Sequence, residues 1–74
     1  MGKIVNLTII DEDDHKHYFK IEEWYGEYFV YRIEYVGIFS SKQETEIARA
    51  KSFDRALEYA RLSVGRKIKR IEET

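Results

Sequence analysis

The stretch that sets the fold is His15-Lys16-His17-Tyr18-Phe19-Lys20-Ile21-Glu22-Glu23-Trp24, then Tyr25-Gly26-Glu27, then Tyr28-Phe29-Val30-Tyr31-Arg32-Ile33-Glu34-Tyr35-Val36. Two runs rich in aromatic and β-branched residues flank a glycine that can take positive φ. That is the pattern of two antiparallel strands joined by a turn. Successive side chains of a strand point to opposite faces. In the first run His17, Phe19 and Ile21 therefore share one face, and Lys16, Tyr18, Lys20, Glu22 and Trp24 the other. In the second run Phe29, Tyr31, Ile33 and Tyr35 form the apolar face. Tyr28, Arg32 and Glu34 mark the opposite one, with Val30 between them. The turn is read as residues 25–27, and the Phe29 face is expected to join Phe19 and Ile21 in the core.

Upstream, Lys3 to Ile10 is a β-branched run with alternating Val5, Leu7 and Ile9, hence a strand. Asp11-Glu12-Asp13-Asp14 follows as a polar hairpin loop, because Asp favours turns over strands. Downstream, residues 37–42 read as a loop and Gln43 to Ala50 as a fourth strand, weakened by its Glu and Ala. Ser52 is placed to cap a helix, and Asp54 suits the positive end of its dipole. Phe53, Ala56, Leu57, Ala60, Val64, Ile68 and Ile71 then recur at spacings of three and four. That spacing makes one apolar stripe and predicts a helix to about residue 71, with Gly65 a weak point. The order is β-β-β-β-α. The expected fold is a single α+β domain, an antiparallel four-stranded meander with one C-terminal amphipathic helix packed on one sheet face. A three-stranded sheet, with 43–50 irregular, is the alternative.

The chain has 74 residues and no cysteine, so neither a disulfide nor a thiolate metal site can staple the fold. Six Tyr, four Phe and one Trp supply the core area instead. No apolar run approaches the ~20 residues of a membrane span, and no secretory signal opens the chain. The expectation is a cytoplasmic protein with no membrane partner.

Net charge is −1, which argues against an indiscriminate basic coat for nucleic acid. Residues 1–46 hold five Lys/Arg against ten Asp/Glu, and residues 47–74 hold eight against four. The predicted sheet is acidic and the predicted helix basic, which suits complementarity within one fold.

Catalytic constellations are missing. No serine lies in a nucleophile-elbow setting, and the four glycines make no phosphate cradle. No cofactor is expected. His15 and His17, with Asp13 or Asp14, could offer a few metal ligands. The plainer reading is a polar hairpin that keeps an edge soluble.

Two surfaces remain as candidate binding sites. On the open sheet face the reading places Tyr18, Lys20, Trp24, Tyr28 and Arg32, beside Asn6 and Thr8. Aromatics interleaved with cations can stack bases and meet phosphates. On the helix back, Arg55, Tyr59, Leu62, Arg66, Lys69 and Arg70 fall within about one-third of the circumference. That stripe could meet phosphates, an acidic protein surface or a second copy of the chain. Three strands followed by a helix opening Ser52-Phe53, with Ala56 and Ala60 at packing positions, resemble the sheet-plus-helix DNA-binding domains of the integrase arm-binding type. The resemblance covers about residues 15–64 and implies that the exposed sheet face reads DNA. The expected function is thus a non-enzymatic binding module for nucleic acid. The alternative is a protein-interaction module or homodimer.

Overall fold

The computed structural model describes residues 2–38 and 41–74. Residues 39 and 40 of the predicted loop lie outside the described residues. The elements are β1 (Lys3–Asp11), β2 (Lys16–Trp24), β3 (Glu27–Val36), β4 (Ser41–Ala50), α1 (Phe53–Val64) and β5 (Ile68–Glu73). The four predicted strands form an antiparallel meander, and a fifth strand follows the helix, giving the sheet order β4-β3-β2-β1-β5. The helix leaves β4 at one edge and lies across one face, and the chain then re-enters the sheet at the other edge. Leu7, Ile9, Phe19, Ile21 and Val30 form the buried floor beneath it, closed from above by Ala56 and Ala60. Two alanines on its buried face let the helix sit close to the sheet.

The β2–β3 turn differs from the sequence reading by one residue, and that residue inverts a strand. Trp24 pairs with Glu27, so the turn is the two residues Tyr25 and Gly26, at φ 50 and 77. Two positive φ values make a type I′ turn, whose twist matches the flanking strands. The expected turn of 25–27 would have paired Trp24 with Tyr28. A shift of one residue carries every side chain of a strand to the other face. Val30 therefore lies across from Ile21 and is fully buried. Tyr28 and Arg32 lie on the helix side, not on the open face as expected. Phe29, Tyr31, Ile33 and Tyr35 look out from the open face.

The helix is also shorter than predicted. Gly65 adopts φ 68, and its N–H donates to the Leu62 carbonyl at 3.2 Å, a left-handed stop. The Ile68 and Ile71 spacing, which suited a helix, is served instead by a bulge. Asp11 pairs with Ile68 and Ile9 with Ile71, and the register shifts between Ile10 and Asp11. The irregularity brings both isoleucines against the core although they are three apart. At the other end Ser52 caps as expected, its Oγ accepting from the Arg55 N–H at 3.2 Å. A methyl group on Gly65 would meet open space, so Gly65→Ala tests backbone conformation alone. It should cost about 1–2 kcal/mol, a loss of roughly 5–15 °C in a thermal melt.

Asp11 is not a solvated loop residue. Asp11 pairs with His15 through its N–H at 3.1 Å, and the loop between them ends on Asp14 at φ 63. The Asp11 carboxylate is fully buried. It accepts from the Asp13 N–H at 2.9 Å, the His15 N–H at 3.0 Å and His17 Nε2 at 2.9 Å. The His17 hydrogen bond, helped by the two backbone donors and opposed by burial, holds its pKa down to about 2.

Candidate functional site

The open face carries an aromatic column along β2 and β3. Tyr18 and Tyr35 meet edge to face with ring centroids 5.9 Å apart, the arrangement favoured by ring quadrupoles. Tyr35 is 57% exposed, Trp24 39% and Tyr18 38%. Ile33, directly across from Tyr18, is buried. The Trp24 ring lies against Gly2, where a Cβ would fall 2.7 Å from it, and its indole N–H donates to Glu22.

Lys20, Lys42, Arg49 and Arg70 of this face are engaged, whereas Lys16 shows no ion pair among the described residues. Lys20 Nζ lies 2.8 Å from Glu44 and 3.5 Å from Glu22. Its pKa is raised by the Glu44 hydrogen bond, against a smaller effect of burial. It also sits 4.8 Å above the Tyr31 ring, and the Arg49 guanidinium 5.0 Å above the Phe29 ring, contacts of cation–π type. Lys42 holds Glu44, Arg49 holds Glu46 and Arg70 holds Glu72 at 3.0–3.3 Å. The face is aromatic and charge-balanced.

The predicted site residues divide among several places. Tyr18, Lys20 and Trp24 lie on the open face. Tyr28 packs under the helix, edge to face with Phe53, and burial followed by the nearby Glu23 carboxylate raises its phenol. Arg32 pairs with Glu34 at 3.2 Å on that same helix side. Arg55, Tyr59 and Leu62 remain on the outer surface of α1, Leu62 being 68% exposed. Arg66, Lys69 and Arg70 lie beyond the helix end, so no continuous basic stripe exists. Arg66 pairs with Asp13, and Lys69 with Asp14 at 2.7 Å. Lys69 in turn lowers the Asp14 carboxyl. The basic C-terminal third thus clamps the acidic hairpin. Phe29, Tyr31 and Tyr35 were missed as surface residues because the turn length, and not the alternation, chooses the face.

A cleft of about 200 Å³ beside the start of the helix is lined by Val5, Ile21, Tyr28 and Phe53, with Lys3, Glu23 and Glu73 at its rim. It is smaller than the ~300–1,000 Å³ typical of ligand pockets. Among the described residues no group of three or more His, Cys, Asp or Glu is placed to hold a metal ion. No helix among them is long and apolar enough to cross a membrane.

These features define a small α+β domain, a five-stranded antiparallel sheet with one helix. Comparison with known proteins gives no matching family, no matching characterised sequence and no matching solved structure.

Proposed function

We propose that the protein is a non-enzymatic binding module that meets a protein partner through its open sheet face. One observation carries the reading: a partly exposed aromatic column in which Lys20, Lys42 and Arg49 are held by carboxylates. Protein interfaces are rich in Tyr and Trp at their centres and poor in net charge there. A phosphate backbone needs free cations along a track, and Lys20 and Arg49 lie over rings that bases would otherwise stack upon. A cysteine-free chain also suits a cytoplasmic setting.

Nucleic acid is the alternative partner. It is supported by Lys3, Lys16, Arg55 and Lys67, for which no ion pair is seen among the described residues. They are scattered over two strands, the helix and a connection. A titration with single- and double-stranded oligonucleotides at ~50 mM salt, where counterion release favours binding, should leave the Tyr18 and Tyr35 amide resonances in place. A photo-cross-linking residue at Tyr35 should capture discrete proteins in cells, and Tyr18→Glu should abolish the capture. The same probe at Tyr59, on the helix back, should capture none. Oligonucleotide-induced shifts at Tyr18 and Tyr35, or equal capture at both positions, would overturn the proposal.

A further inference from the structure

We propose that the outer edge of β5 pairs with the same edge of a second copy of this chain, joining two sheets into one of ten strands. The inference concerns the edge of the sheet and not its aromatic column, and does not depend on that reading.

β5 is an edge strand with β1 on one side only. Asn6 and Thr74 exchange both backbone hydrogen bonds, Asn6 N–H to the Thr74 carbonyl at 3.4 Å and Thr74 N–H to the Asn6 carbonyl at 2.9 Å. Hydrogen-bonded and non-hydrogen-bonded positions alternate along an antiparallel pair. Glu72 and Arg70 therefore turn their backbone groups toward β1. Ile71 and Glu73 turn theirs outward, with no backbone partner among the described residues.

The side chains of this edge complement themselves. The strand reads Ile68-Lys69-Arg70-Ile71-Glu72-Glu73, two cations and then two carboxylates about a central isoleucine. A two-fold axis perpendicular to the sheet at Ile71 sets Ile71 against Ile71 and Arg70 against Glu72, the charge pair occurring twice, while Lys69 at the bulge stays with Asp14. The two Ile71 residues are a hydrogen-bonded pair, as their outward backbone groups require. Opposite charges directly across a ladder stabilise it, and like charges destabilise it. The nearest registers that keep the outward groups in phase are two residues away. They set Glu72 against Glu72, or Arg70 against Arg70. Charge thus selects one register. Lys and Glu on an edge usually discourage pairing; in this order they favour it with a second copy. The Arg70–Glu72 ion pair within each chain becomes half of a four-charge ring across the axis. Both edge strands carry a register shift; in β5 it falls at Lys69, outside the Arg70–Glu72 segment that would pair. This symmetry keeps both helices on one side and merges the two open faces.

The test is sedimentation equilibrium on the whole chain over a concentration series. The wild type should dimerise. Arg70→Glu and Glu72→Arg should each weaken the dimer at least ~10-fold, and the two substitutions together should restore it. Glu73→Pro removes an outward N–H without touching the β1 ladder, and should give a monomer with an unchanged circular dichroism spectrum. A wild type that stays monomeric at ~1 mM, far above the range of specific association, would sink the proposal. So would a dimer indifferent to Arg70→Glu and Glu73→Pro. Neither result bears on capture by Tyr35, so the two proposals fail separately.

Discussion

Val30→Asp should leave the chain unfolded at room temperature, while Tyr35→Asp should leave it folded. Val30 is fully buried against the helix, across from Ile21. A carboxylate there would find no partner. Burying an unpaired charge belongs to the small set of changes that cost more than about 4 kcal/mol. A domain of this length holds only about 4–11 kcal/mol in total. Tyr35 stands on the opposite face and is 57% exposed. Its replacement loses the edge-to-face contact with Tyr18, about 0.5–1.5 kcal/mol, and leaves the new charge in water. Circular dichroism and amide proton dispersion of the two variants decide the matter. The reverse ranking is what a three-residue turn at 25–27 would give, so the experiment tests the register directly.

Asp11→Ala should lower the melting temperature by roughly 10 °C or more, since it leaves buried donors without an acceptor. It strips the acceptor from the Asp13 and His15 N–H groups and from His17 together. The same carboxylate predicts the acid limb of stability. Its pKa is about 2 in the folded chain against an ordinary 3.8. Between those values the unfolded chain takes up a proton that the folded chain does not. The stabilisation is therefore complete above about pH 4 and is lost as pH falls toward about 2. Thermal melts of the wild type should drop through that window, and those of Asp11→Ala should drop less. Asp14 and Glu44, also held down by Lys69 and Lys20, keep a residual slope in the variant. Equal slopes in the two proteins would show that Asp11 does not carry this linkage.

Much of the architecture is legible in local patterns. β-branched and aromatic runs mark the first four strands, because those side chains suit a pleated, half-buried surface. Ser52 marks the start of the helix and Gly65 its end, by side-chain capping and by freedom at positive φ respectively. Gly65 reads from sequence as a weak point within a longer helix, because Ile68 and Ile71 keep the helical spacing. The aromatic character of an open face was also legible, through Tyr18 and Trp24. Its second half, Phe29, Tyr31 and Tyr35, was not.

The amino-acid sequence by itself determined the α+β class, the approximate positions of the first four strands, the helix cap and the charge asymmetry between the halves, since each depends on neighbours along the chain. Only the tertiary structure decided three further things. The type I′ turn at Tyr25-Gly26 chose which face of β3 is buried, because a period of two leaves both faces equivalent until a register is set. The unpaired edge of β1 drew residues 68–73 out of a helix and into the sheet, where a bulge lets Ile68 and Ile71 share one core. The fold also brought Arg66 and Lys69 onto Asp13 and Asp14, turning an apparent binding stripe into an internal clamp. The last two rest on contacts between residues distant in the chain, which no local pattern contains.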